Sequence, residues 1–151
     1  MLNQPAPEFT LEATTGQNIC LKDLHGAFVV LIFYPANDTP ICNKQLDDIS
    51  FTNKDFLALN ARVFGVNTAS ANESRSFCTR RKLEFPILSD PDGVTAKSYK
   101  AYMKWFTRNK RVVVAIDPKG MICFYEKGKP APEKILEAIK EASAKLSPSS
   151  V

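Results

Sequence analysis

The stretch that decides the fold reads Ala-Phe-Val-Val-Leu-Ile-Phe-Tyr over residues 27–34 and Pro-Ala-Asn-Asp-Thr-Pro-Ile-Cys over residues 35–42. The first half is continuously apolar and rich in β-branched and aromatic residues, which is typical of a central strand covered on both faces. Thr39 and Pro40 favour a helix start, because threonine caps helix N-termini and proline fits the first helical position. The stretch therefore predicts a buried strand that passes through a short loop into a helix.

The rest of the chain supplies the partners of this strand and helix. Strands are predicted over Phe9–Ala13, Asn18–Leu21, Arg62–Asn67, Phe85–Leu88, Arg111–Ile116 and Met121–Tyr125. Helices are predicted from Pro40 with a kink near Thr52-Asn53, from Ser70 to about Lys82, in part of Val94–Trp105, and over Pro132–Leu146. This order predicts an α/β thioredoxin-like fold, with a central mixed sheet, an N-terminal β-hairpin and flanking helices. We expect a single domain over residues 1–151, with a frayed tail at 147–151.

Composition excludes several classes of protein. The chain has 151 residues, 44% of them hydrophobic, which suits one globular domain. No apolar run reaches the ~18 residues of a membrane-spanning helix, so we expect no membrane partner. Four cysteines without an export signal favour a reducing compartment, and we expect a cytoplasmic monomer.

Charge is unevenly distributed, with a net −3 over residues 1–96 and +7 over residues 97–151. A basic half raises the possibility of nucleic-acid binding. We do not expect it, because no base-stacking motif or basic helix accompanies the charge. Tyr102, Trp105 and Phe106 lie in the basic half, and we expect them to pack within a helical insert rather than to line a site.

The titratable residues leave one reactive candidate. His25 is the only histidine, no Cys-x-x-Cys pair occurs and no glycine-rich phosphate loop is present, so we expect no metal and no cofactor. Cys42 falls in the first turn of the predicted helix, where free amide N–H groups and the helix dipole favour a nucleophilic thiolate. The alternative is a small buried cysteine with a packing role.

The loop that ends at Cys42 resembles the Pro-x-x-x-Thr-x-x-Cys active-site loop of peroxiredoxins, and is most similar to the bacterioferritin comigratory protein or peroxiredoxin Q branch. Further similar blocks are Ala6–Leu11, Leu21–Gly26, Phe85–Asp90 and Ala115–Gly120. The resemblance implies a thiol-dependent peroxidase that reduces hydrogen peroxide and organic hydroperoxides. The alternative is a thioredoxin-fold redox-sensing or binding module without turnover.

The resemblance also implies roles for individual residues. Cys42 would be the peroxidatic cysteine and would become a sulfenic acid. Thr39 would offer its hydroxyl to the thiolate and the peroxide, and Pro35 would shield the sulfur. Arg111 matches the active-site arginine of the family, whose permanent charge favours the thiolate and stabilises the leaving oxygen. Gln45 stands where relatives usually have a glutamate.

The second thiol is also implied by the resemblance. Many relatives carry a resolving cysteine five residues after the first, where this chain has Asp47. Cys78, on the following predicted helix, matches the other arrangement in the family and would form a disulfide with Cys42. Thioredoxin or a similar thiol donor would then reduce that disulfide. We expect Cys20 and Cys123 to be core residues.

Overall fold

Strands and helices follow one another in the predicted order, with one addition. This addition is a short β-hairpin between the fourth and fifth helices. The computed structural model describes residues 1–146, and the frayed tail expected at 147–151 lies outside the described residues. The strands are Thr10–Ala13 (β1), Asn18–Cys20 (β2), Phe28–Phe33 (β3), Ala61–Asn67 (β4), Ile87–Ser89 (β5), Tyr102–Met103 (β6), Arg108–Asn109 (β7), Val112–Ile116 (β8) and Ile122–Lys127 (β9). The helices are Pro40–Phe51 (α1), Asn53–Ala58 (α2), Ala71–Arg81 (α3), Val94–Ser98 (α4) and Pro132–Leu146 (α5), with a 3₁₀ turn over Leu21–Leu24.

The apolar run of the sequence forms the centre of the sheet. Within residues 1–146, seven strands form one mixed sheet in the order β2-β1-β5-β4-β3-β8-β9. β3 pairs in parallel with β4 and antiparallel with β8, and each of its residues is buried. The predicted N-terminal hairpin is β1–β2, which joins the sheet through β5. The expected α/β architecture with a central mixed sheet is therefore confirmed.

Each face of the sheet carries its own apolar core, because successive side chains of a strand point to opposite faces. Val30 and Ile32 of β3 face a cluster built with residues of α1, α2, α3 and α5. Val29, Leu31 and Phe33 face a second cluster, which contains residues of α4 and of the 3₁₀ turn. Cys42 belongs to the first cluster, so the candidate nucleophile is anchored directly against the sheet.

The segment after α4 differs from the prediction of a helical insert with packed aromatic residues. α4 ends at Ser98, and β6 and β7 then form a separate two-stranded hairpin. Tyr102 is half-buried, but Trp105 is 93% exposed and Phe106 is 65% exposed, so the expected packing is wrong for these two. Strands of two residues are too short to carry a hydrophobic period, which is why the pattern did not indicate them.

The helices of this fold do not include a membrane-crossing one. Among residues 1–146, no helix is both long enough and apolar enough to span a bilayer.

Candidate active site

The candidate site lies where β3 ends and β8 begins. β3 and β8 are antiparallel and Phe33 lies opposite Val112, so the residue before β8 is next to the loop that follows β3. Arg111 is the residue before β8, and the loop leads into the N-terminus of α1. The sheet register therefore brings Arg111 and the first turn of α1 together, although the two are far apart in sequence.

The first turn of α1 holds Cys42 in a fixed position. Thr39 has extended backbone and is the N-cap, and its Oγ1 accepts a hydrogen bond from the Cys42 N–H at 3.3 Å. Pro40 occupies the first helical position, as predicted. Cys42 is only 1% exposed. The thiol therefore lies against the apolar core at the positive end of the helix dipole.

Arg111 contacts the sulfur directly. Its Nη2 donates to Cys42 Sγ at 3.0 Å, and its Nη1 donates to Gln45 Oε1 at 3.1 Å. Gln45 lies one turn after Cys42 on α1 and is 5% exposed. The two contacts hold the planar guanidinium in one orientation. The structure thus brings Cys42, Thr39 and Arg111 together, as the family resemblance implies.

Gln45 contributes in a way that the sequence did not specify. Its amide is neutral, so it orients Arg111 without cancelling the charge that the arginine presents to the sulfur. Its Nε2 is buried and has no hydrogen-bond partner among residues 1–146. An unpaired buried donor costs free energy, on the order of 1–3 kcal/mol. That Gln45 is present despite this cost is consistent with a need for its Oε1, which accepts the hydrogen bond from Arg111.

A buried hydrogen-bond network supports the loop between β3 and α1. The Tyr34 hydroxyl donates to Asn37 Oδ1 at 2.6 Å, and Asn67 Nδ2 donates to the same oxygen at 2.8 Å. Asn37 Nδ2 donates to Ser74 Oγ at 3.1 Å, which connects the loop to α3. Burial, and then the nearby Cys78 and Cys42, raise the pKa of Tyr34 well above its usual value, so its hydroxyl stays protonated. Tyr34 is part of the apolar run in sequence, and Asn37 and Asn67 are 30 residues apart. No local motif therefore indicated this network.

Pro35 follows Tyr34 in the same loop and is half-buried.

Two ion pairs attach α3 to the loop and to α1. Asp38 pairs with Arg80 at 3.0 Å, and hydrogen bonding from Arg80 lowers the pKa of Asp38. Asp47, at the position of the nearer resolving cysteine of relatives, forms an ion pair with Arg81. α3 is therefore attached both to the loop and to α1.

Cys78 lies on α3, as predicted, and is half-buried against the same apolar cluster as Cys42. Its Sγ contacts Thr14 Oγ1 at 3.9 Å, and burial raises its pKa. Cys42 and Cys78 are both free thiols in this structure. The sulfurs are thus on different helices and unbonded, with Tyr34 close to both.

The other two cysteines are less buried than expected. Cys123 on β9 is half-buried beside the core, and burial raises its pKa to about 11. Cys20 lies on the edge strand β2, is half-buried, and is 3.1 Å from Thr10 Oγ1. Edge strands have one uncovered side, which explains why an apolar neighbourhood in sequence did not bury Cys20 fully.

Comparisons with known proteins agree with this geometry. A model of the AhpC/TSA family matches residues 2–125. A Helicobacter pylori protein whose name classes it as a peroxiredoxin of the bcp kind is 35% identical over 147 residues, covering 91% of this chain and 97% of its own. Peroxiredoxin Q of Triticum aestivum, named as chloroplastic, is 30% identical and covers 85% of this chain and 59% of its own.

Solved structures show the same fold. The crystal structure of Enterococcus faecalis AhpC has a TM-score of 0.88 at 22% identity, covering 99% of this chain and 96% of its own. Peroxidoxin BcpB from Mycobacterium tuberculosis has a TM-score of 0.85 at 24% identity, covering 93% and 96%. The predicted thioredoxin-like fold is therefore confirmed. From the family match and the identities to the relatives, the chain belongs to the AhpC/TSA family and is a peroxiredoxin of the bacterioferritin comigratory protein and peroxiredoxin Q type, a thiol-dependent peroxidase.

Proposed function

We propose that Cys42 is the peroxidatic residue of this enzyme, acting on hydrogen peroxide and organic hydroperoxides. The observation that carries the proposal is the 3.0 Å contact between Arg111 Nη2 and Cys42 Sγ, at a helix N-terminus capped by Thr39. A fixed cation and the helix dipole both favour the negative sulfur over the neutral thiol. Nucleophilic attack requires that charged form.

The first step transfers one oxygen atom. The Cys42 thiolate attacks the terminal oxygen of the hydroperoxide, so a sulfur–oxygen bond forms and the oxygen–oxygen bond breaks. The sulfur is oxidised to a sulfenic acid, and the leaving oxygen takes a proton from solvent to become water or an alcohol. Negative charge moves from sulfur to the leaving oxygen during this step. Arg111 is placed to stabilise that charge throughout, because its guanidinium presents several N–H donors from one rigid plane.

The neighbours of Cys42 prepare this step. Thr39 Oγ1 already accepts from the Cys42 N–H, and the hydroxyl proton is still available for the thiolate or a peroxide oxygen. Gln45 is a positioning residue, since it touches Arg111 and not the sulfur. Pro35, in the half-buried part of the loop, would restrict the access of water to the reacting atoms.

The second step forms a disulfide with Cys78. The Cys78 thiol attacks the Cys42 sulfenic acid, the sulfur–sulfur bond forms, and water leaves. Two features support this choice: both cysteines pack on one apolar cluster, and Asp47 removes the nearer alternative. We expect α1 or α3 to unwind locally for the bond to form, because the two sulfurs lie on different helices and a disulfide needs Cα atoms within about 7 Å.

Thioredoxin or a similar dithiol donor would then reduce the disulfide and restore both thiols. No metal, haem or flavin is needed for any of these steps. The monomeric state and the cytoplasmic location expected from the sequence remain predictions.

The decisive experiment measures repeated peroxide consumption with a thioredoxin system. We expect Cys42→Ser to abolish turnover and the matched variant Cys20→Ser, which alters a half-buried thiol on the edge strand, to retain it. Turnover that survives Cys42→Ser would overturn the assignment. Oxidation of Cys42 without repeated turnover would instead support a redox sensor.

A peptide map under non-reducing conditions tests the resolving thiol. After one equivalent of peroxide, we expect a Cys42–Cys78 bridge, which Cys78→Ser eliminates. A bridge from Cys42 to Cys20, or a stable sulfenic acid with no bridge in the wild-type chain, would overturn the role of Cys78.

A further inference from the structure

The β6–β7 hairpin carries a surface that the peroxidase chemistry does not use. We call it the hairpin patch, and it consists of Val94, Lys97, Lys100, Lys104, Trp105, Phe106 and Arg108. Gly93, immediately before Val94, packs closely against the Tyr102 ring of the hairpin. A Cβ on Gly93 would lie 2.3 Å from the Tyr102 ring, and its φ of +68° favours glycine. Val94 is therefore held beside β6 of the hairpin.

The apolar members of the hairpin patch are unusually exposed. Trp105 is 93% exposed, Val94 66% and Phe106 65%, and the two aromatic residues are adjacent in the turn of the hairpin. Two neighbouring aromatic side chains in water indicate a surface that is covered by something. Tryptophan combines a large apolar ring with an N–H donor, which suits the boundary between an apolar and an aqueous phase.

The segment that carries these side chains is basic, although the exposed Asp92 lies just before it. Residues 93–116 contain six basic residues and no acidic one. Lys97, Lys100, Lys104 and Arg108 are all exposed, and within residues 1–146 none of them takes part in an ion pair. Lys97 lies 4.9 Å from the centre of the Tyr102 ring, so it too stays beside the hairpin. The complementary partner is therefore anionic.

The hairpin is a supported projection rather than a flat face. Asn109 is fully buried and donates to the Val66 carbonyl at 3.0 Å, and the Lys110 N–H donates to the Ala101 carbonyl at 2.8 Å. These bonds fix the base, while the turn residues 104–107 are all exposed. A stable protein interface covers about 800 Å² on each partner and has a core depleted in charged residues, whereas the exposed aromatic residues here stand among four cations. Single-stranded nucleic acid is typically held along a groove, whereas these side chains lie on an exposed turn.

We propose, contrary to the expectation from the sequence of no membrane partner, that the hairpin patch docks on the headgroup layer of an anionic lipid bilayer. Trp105 and Phe106 insert among the headgroups, and the surrounding lysine and arginine side chains face the lipid phosphates. β7 leads through Arg111 into β8, so the hairpin lies at the same end of the sheet as Cys42. Docking would turn this end of the molecule toward the bilayer.

Fluorescence provides a direct test, because Trp105 is the only tryptophan of the chain. With vesicles of equal parts phosphatidylglycerol and phosphatidylcholine, we expect the emission of Trp105 to shift to shorter wavelength and to be quenched by brominated lipids. Vesicles of phosphatidylcholine alone should produce no shift, and raised salt should weaken binding. The double variant K104E/R108E should bind at least about tenfold more weakly, because each cation near an anionic surface contributes to the attraction.

A second exposed phenylalanine serves as a control that distinguishes binding by the hairpin patch from nonspecific binding of exposed aromatic residues to vesicles. Phe106→Ser should weaken vesicle binding, whereas Phe51→Ser should not, because Phe51 is 83% exposed but lies on α1, outside the hairpin patch. Circular dichroism would verify that each variant is folded.

Three outcomes would overturn the proposal. One is the absence of a shift with anionic vesicles, or an equal shift with neutral ones. Another is a shift with a single-stranded oligonucleotide and none with vesicles, which would make the patch a nucleic-acid surface. The last is a shift that depends on protein concentration without lipid, which would indicate that copies of the chain cover the patch.

Discussion

Arg111→Met tests how much of the reaction depends on the arginine, since methionine keeps part of the apolar stem and removes the charge and both hydrogen bonds. The wild-type Nη2–Sγ distance is 3.0 Å and Arg111 is half-buried. Two unit charges about 4 Å apart interact by about 4 kcal/mol near a protein surface. Solvent screens a half-buried pair, and loss of one preorganised donor to a developing charge typically costs about 2.7–4 kcal/mol. We therefore expect the oxidation of Cys42 to slow by about 100-fold.

The assay mixes reduced protein with excess hydrogen peroxide, stops the reaction by alkylation and follows loss of the Cys42 thiol by mass spectrometry. Arg62→Met is the matched control, because Arg62 is an exposed arginine at the start of β4, at the end of the sheet away from the site. We expect its rate to equal that of the wild type. A rate for Arg111→Met within about threefold of wild type would refute the idea that this cation drives the first step.

Three further variants or measurements probe the surroundings of the sulfur. Gln45→Glu places a carboxylate on the guanidinium and offsets the charge that Arg111 presents to the sulfur, so peroxide oxidation of Cys42 should slow about tenfold in stopped flow; an unchanged rate would contradict this. Tyr34→Phe removes a buried hydroxyl from a hydrogen-bonded network and should lower the free energy of unfolding by about 1 kcal/mol in denaturant titrations, whereas an unchanged midpoint would count against the network. Burial raises the pKa of Cys78 and brings that of Cys123 to about 11. Alkylation of both thiols should therefore be slow at neutral pH and should accelerate as the pH rises, and labelling rates that do not change with pH would contradict the burial argument.

Local signals made the central part of the fold predictable. The apolar run at 27–34 could only be a buried strand, and Thr39 with Pro40 marked the start of α1 at the residue where the structure has it. The place of Cys42 in the first helical turn favoured a reactive thiolate but left a packing role open, and the family resemblance indicated the reactive role. Arg111 was found through a resemblance, and the antiparallel register of β3 and β8 supplies the physical reason for its position.

Features that depend on distant segments were not predictable. The contact of Gln45 with Arg111 and the network from Tyr34 through Asn37 to Ser74 join elements that no sequence period relates. The hairpin at 102–109 was not predicted for a different, local reason: its strands are too short to show an alternation of apolar and polar residues. The exposure of Trp105 followed from that error, since a helical insert would have turned it inward.

The central claim is that Cys42 reacts with hydroperoxide as a thiolate. The most direct measurement treats reduced Cys78→Ser protein with one equivalent of hydrogen peroxide at neutral pH in the presence of dimedone, and maps the adduct by mass spectrometry. We expect a sulfenic acid trapped at Cys42 in nearly every molecule, with the thiols of Cys20 and Cys123 unchanged. An unmodified Cys42 in folded protein, or an adduct on either of the other two cysteines, would contradict it.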